Sequence, residues 1–114
     1  MGYDLYITRA EEHFSTQGKE ITPEEWLDIV ERDPTLRLRG ERSWPYEAIW
    51  MGDEACGKSS YPEPWLNWRS GYIYSKSPDK PLIRKMILIA RQLDAKVQGD
   101  DLEAYTWDQV IDDD

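Results

Sequence analysis

Between Tyr3 and Arg9 the chain alternates, with Tyr3, Leu5 and Ile7 on one side of an extended backbone and Asp4, Tyr6 and Thr8 on the other. A period of two in a stretch rich in aromatic and β-branched residues predicts a half-buried strand. The polar run AEEHFSTQGKE that follows has no period and contains a glycine, so it is read as a loop. The pattern then becomes helical. Thr22 is the N-cap, Pro23 the first helical residue, and Glu25 stands three residues after the cap. That is the spacing of a capping box, in which the Thr22 hydroxyl accepts from the Glu25 amide and the Glu25 carboxylate accepts from the Thr22 amide. Ile21 and Trp26 bracket it as a hydrophobic staple. Trp26, Ile29 and Val30 form the buried stripe, and Pro34 ends a helix expected over 23–32.

LRLRG (36–40) alternates again and predicts a short strand. YEAIWMG (46–52) and WLNWRSGYIYSK (65–76) follow, separated by a Gly/Ser/Pro-rich loop over 52–64. Ser70-Gly71 reads either as a tight hairpin turn or as a bulge within one long strand. Trp65, Trp68, Tyr72 and Tyr74 are expected to pack mostly on a sheet face. SPDKP opens a second helix with Ser77 or Asp79 as its cap. Leu82, Met86, Ile89 and Leu93 form one stripe and Ile83, Ile87 and Ala90 its neighbour, with Arg84, Lys85, Arg91 and Gln92 placed on the polar side. KVQGD and EAYTW read as two short strands joined through Gly99 to Leu102. The order β-α-β-β-β-α-β-β predicts an α+β fold, two helices against a largely antiparallel sheet. One domain is expected over 1–111, followed by an acidic tail, 112–114.

A chain of 114 residues is long enough to bury a single core, and its fourteen aromatic residues, six of them Trp, belong to a folded protein. Cys56, the lone cysteine, sits in the loop-like GDEACGKSS with no internal disulfide partner and no obvious His or basic partner, so it reads as an incidental thiol. The N-terminus lacks a basic stretch followed by an apolar run, and no apolar run approaches the roughly twenty residues of a membrane span. A cytoplasmic location and no membrane partner are expected. The net charge of −9 is polarised: seven carboxylates and no Lys or Arg lie from Asp100 onward, which leaves −2 for residues 1–99. Such a balance disfavours nucleic acid and suits a basic protein surface, although negative charge also serves solubility alone.

Candidate chemistry is sparse. His13 is the only histidine, which removes most Ser-His-Asp arrangements, and one His with one Cys makes a structural zinc site implausible. His13 is read as a loop or partner-contact residue. Asp100, Asp101 and Glu103 offer hard oxygen ligands, but the spacing is not that of an EF-hand and aspartates are also what turns use. The turn reading carries more weight, and no metal and no cofactor are assigned. A paired-carboxylate glycosidase would need a sugar-sized cleft that so small a chain is not expected to provide. Gly52, Gly57, Lys58 and Ser59 fit G-x-x-x-x-G-K-[ST] after a strand-like segment, yet SYPEPW follows where that motif requires a helix, and the match is read as coincidence.

Recognition remains. Aromatics supply buried area and acids steer a basic partner. The acidic C-terminal part offers Asp100, Asp101, Glu103, Tyr105, Trp107 and Asp108, and the Trp-rich part offers Trp44, Tyr46 and Tyr61. For each aromatic the competing role is core packing. GYDLYITRAEEH, ITPEEWLDIVERDP and KMILIARQLDAKVQGDDLEAY together resemble small acidic bacterial immunity proteins associated with polymorphic and contact-delivered toxins. The resemblance spans most of the chain, and none of these motifs is catalytic. It implies a cytoplasmic, non-enzymatic protein that neutralises a cognate toxin domain by occluding its active surface. In similar sequences a glycine is expected where Leu102 stands, so this loop departs from the pattern. The alternative reading is a small-ligand or carbohydrate-binding module built on the Trp-rich 44–68 region.

Overall fold

The computed structural model describes residues 4–110. Tyr3, where the first strand was expected to begin, Ile111 and the acidic 112–114 tail lie outside the described residues. Ten elements follow in order: β1 Asp4–Thr8, α1 Pro23–Arg32, β2 Leu36–Leu38, β3 Ala48–Trp50, β4 Trp65–Arg69, β5 Tyr72–Lys76, α2 Lys80–Gln92, β6 Lys96–Gly99, β7 Ala104–Tyr105 and a short 3₁₀ turn, Trp107–Gln109. The strands form one seven-stranded antiparallel sheet in the order β2-β3-β4-β5-β1-β6-β7. The fold is α+β, as the sequence pattern predicts. The extra strand relative to that pattern arises because Ser70 and Gly71 both adopt positive φ (54° and 92°), the mirror-image turn that matches strand twist, so 65–76 folds as a hairpin. EAYTW gives only a two-residue strand before the 3₁₀ turn.

Local signals set α1. Thr22 accepts from the Glu25 amide, Glu25 accepts from the Thr22 amide, and Pro23 stands at the first helical position. Ile21 and Trp26 at the two ends of the staple are fully buried. At α2 the cap is Asp79, which accepts from the Leu82 amide and also holds Ser59 and Ser60 of the preceding loop.

Both helices cover the same side of the sheet. The register puts Leu5, Ile7, Leu36, Ala48, Trp50, Leu66, Ile73 and Val97 on that side, in one cluster with Trp26, Ile29, Val30 and the apolar stripes of α2. Burying a side chain of this size contributes roughly 1.5–3 kcal/mol. Trp68 joins this core while Trp65 faces the other way, so the aromatics of β4 are divided between the two sheet faces.

Arg84 and Lys85 do not lie on a solvated face of α2; each is only 6% exposed. Lys85 Nζ stands 2.7 Å from Asp33 Oδ2, at the end of α1, and 3.0 Å from Asp53 Oδ2, in the loop after β3. Arg84 Nε donates to the Cys56 carbonyl at 3.0 Å and Nη1 donates to the Val110 carbonyl. Buried cations persist where carboxylates and carbonyls converge on them. These partners come from positions 33, 53, 56 and 110, which a helical-period reading does not see. Cys56 is buried in the same corner, and burial together with the nearby Asp53 carboxylate pushes its thiol up to about 12, leaving it protonated at neutral pH. The segment around Gly52 and Gly57 closes on itself through an Asp53–Gly57 bridge, and the next element after Ser59 is the strand β4 rather than the helix a phosphate loop requires.

Candidate interaction surface

The side of the sheet away from the helices carries a second, aromatic layer. Alternation along the strands places Tyr6 opposite Tyr74 on β5, Tyr74 opposite Asn67 on β4, and Arg69 opposite Tyr72. Tyr6, Tyr72 and Tyr74 pack edge to face, with ring centroids 5.3 Å (Tyr6–Tyr72) and 5.9 Å (Tyr72–Tyr74) apart, and Trp65 meets Tyr74 at 5.4 Å. The Arg69 guanidinium lies 4.8 Å over the Tyr74 ring and donates to the Tyr72 hydroxyl. Rings in these geometries fix one another's orientation and leave a stiff floor.

Two loops border this floor. From the β1–α1 loop, His13 stacks on Tyr6 at 3.7 Å and is buried rather than presented to a partner. Its backbone amide and Nδ1 both meet Gln98 Oε1 at 2.8 Å, so Nδ1 carries the proton in this arrangement. Phe14 beside it is exposed. At the other end, the β2–β3 loop folds back and makes a wall. Arg39 pairs with Glu47 and Glu63, which steadies the loop, and Trp44 is 49% exposed at its turn. Between wall and floor lies a groove of about 530 Å³ lined by Asp4, Glu41, Trp44, Glu47, Trp65 and Tyr74, with Arg39, Arg69 and Lys76.

The acidic turn meets this face at β1. Asp100 accepts from the Asp4 amide at 3.0 Å and from the Tyr6 hydroxyl at 2.9 Å, so its carboxylate joins β1 to the β6–β7 turn instead of closing its own turn. Burial first, and the Asp100 carboxylate second, raise Tyr6 far above the ordinary phenol range. The Glu103 carboxylate turns back over Gly99 and accepts from the Asp101 amide; a Cβ at position 99 would lie 2.4 Å from Glu103 Oε2. The turn therefore holds itself with its own side chains. Among the described residues no group of three or more His, Cys, Asp or Glu side chains is placed to hold a metal ion, and no helix is long and apolar enough to cross a membrane.

Of the nine side chains singled out from sequence, the structure joins Trp44 and, through Asp4, Asp100 to one face. Asp101 and Asp108 are exposed. Trp107 packs against the core with the Arg91 guanidinium 5.5 Å from its ring, and Tyr105 is half-buried. Tyr46 lies against Trp68 on the helix side, its carbonyl accepting from Trp26 Nε1. Tyr61 is exposed, with its hydroxyl donating to the Ser77 carbonyl. Asp4, Trp65, Arg69 and Tyr74 were not singled out. The signal that could have found them is the alternation of β1, β4 and β5 read for the face that no helix covers. No protein family matches this chain, and neither a characterised protein nor a solved structure is significantly similar to it.

Proposed function

We propose that this chain is a cytoplasmic binding protein that neutralises a toxin domain by covering a basic surface on it, as an immunity protein does, without turnover. The observation that supports this most is the helix-free sheet face. There an exposed Trp44, a rigid aromatic floor and the carboxylates of Asp4, Glu41 and Asp100 occur together, beside Arg39, Arg69 and Lys76. Trp in a stiff setting is the usual anchor of a protein interface, and exposed acids raise association rates with a basic partner in a salt-dependent way. Asp101, in the β6–β7 turn, and Asp108, in the 3₁₀ turn after β7, are exposed acids as well.

The test is co-purification of the tagged chain with the product of the neighbouring upstream gene, scored for a one-to-one complex and for relief of toxicity. Trp44→Ala is expected to weaken that complex by at least about tenfold, the scale of an interface anchor. A complex that forms equally well without Trp44 removes this face from the interface.

The same groove supports a second reading, a small-ligand or carbohydrate module. Its volume of about 530 Å³ and its Trp and Tyr walls with flanking polar groups suit such a ligand. Saturable binding of a mono- or disaccharide panel, lost in Trp44→Ala and present without any protein partner, separates this reading from the first.

A further inference from the structure

A second surface lies on the helix side of the molecule, at the free edge formed by β2. In the ladder with β3 the Arg39 amide donates to the Glu47 carbonyl and the Met51 amide donates to the Thr35 carbonyl, so the odd-numbered residues of this segment turn their backbone groups inward. Backbone direction alternates along a strand. The Leu38 N–H and C=O and the Leu36 C=O therefore point out from the edge, while the Leu36 amide is held by the Asp33 carbonyl at 3.1 Å.

The same alternation sends the Leu36 and Leu38 side chains to the helix side. Leu36 is buried, but Leu38 is 38% exposed and Met51 48% exposed. Together with Leu27 and Val30 of α1 they line a groove of about 820 Å³ between helix and edge. Its rim is acidic. Glu24, Asp28 and Glu31 share one side of α1 by their four- and three-residue spacing. Asp28 is paired with Arg32 at 2.9 Å, whereas Glu24 and Glu31 make no ion pair among the described residues. Sheet edges are ordinarily blunted by charge, bulges or a covering element. Here outward backbone groups, an apolar trough and unpaired carboxylates run side by side.

We propose that this edge accepts an extended segment of a partner polypeptide, which adds as a strand to β2. Apolar side chains at alternate positions of that segment fill the groove, and Lys or Arg side chains on the same face of the segment, flanking the apolar ones, meet Glu24 and Glu31. A second copy of this chain is a poorer occupant, because a net charge of −9 on each copy would bring like-charged rims together. The proposal is independent of the helix-free face and would survive the failure of that reading.

The probe is a fluorescein-labelled octapeptide, Lys-Thr-Val-Thr-Val-Thr-Lys-Thr, which puts its valines and lysines on one face of an extended strand; it is titrated with the full chain by fluorescence anisotropy. Saturable binding is expected, together with loss of binding in the same peptide N-methylated at every residue. A Glu24→Gln/Glu31→Gln double variant should bind about tenfold more weakly, the upper scale for two exposed ion pairs. Leu38→Asp should not bind, with an unchanged circular dichroism spectrum confirming its fold; the charge variant decides the matter if Leu38→Asp does not fold. Absence of saturable binding overturns the proposal. Equal binding of the N-methylated peptide also overturns it, since the groove would then take apolar ligands without strand pairing. Self-association of the chain that Leu38→Asp abolishes overturns it in favour of a second copy.

Discussion

Lys85 shows how a single residue ties distant parts of this chain together. Its ammonium is the shared partner of Asp33 and Asp53. Burial alone would raise both carboxyls, but for Asp33 the bonds from Lys85 and Thr35, and for Asp53 those from Cys56 and Lys85, leave the net shift downward. Lys85→Ala strands two largely buried carboxylates and is expected to cost about 3 kcal/mol in chemical denaturation, the typical effect of breaking a buried pair. A loss below roughly 1 kcal/mol would mean that water replaces the lysine, as at an exposed pair. Leu102 makes the opposite case. It sits at φ 68° in the acidic turn, a conformation that disfavours a side chain with Cβ, and it is exposed, so it gains little packing in return. Leu102→Gly is expected to stabilise the protein by roughly 1 kcal/mol, measured as a rise in Tm. A glycine at this position is what the resemblance to immunity proteins implied, and a positive φ is a conformation that glycine adopts freely.

At the scale of elements, α1 was legible because everything that starts and stops it is local: Thr22, Pro23, Glu25 and the proline that follows its end. The hairpin over 65–76 was half legible. The sequence marks Ser70-Gly71 as a turn or a bulge, and only the two positive φ values decide between them. The polar side of α2 was misread because hydropathy cannot distinguish a solvated lysine from one met by Asp33 and Asp53. One ion pair links elements in a way that pH can read. Hydrogen bonds from Arg9, at the exit of β1, hold Glu25 of α1 at about 2 against its ordinary 4.5, with the Thr22 amide assisting. A depressed carboxyl stabilises the fold above its unfolded pKa, and that contribution is lost as pH falls from 4.5 toward about 2. Thermal melts across this range should show wild type ahead of Glu25→Gln at neutral pH, with the gap closing by about pH 2. A gap that stays constant would show that the pair contributes nothing through ionisation.

At the scale of the whole molecule, two helices among the described residues cover one face of a seven-stranded sheet, and aromatic rings and loops line the other. The composition made many aromatics visible but not their division between core and surface. Trp68 and Tyr46 belong to the helix side and Trp65 to the open face, and this depends on strand register. The acidic C-terminal part was legible as charge, but not as a structural turn whose Asp100 carboxylate anchors β1. The measurement that tests the open face most directly is amide hydrogen exchange of the chain, alone and in complex with the proposed partner, the product of the neighbouring upstream gene. Slower exchange is expected in the loop over 39–47 around Trp44 and along β4, with α2 unchanged. Protection confined to the helix side, with the Trp44 loop exchanging as in the free chain, would contradict the account.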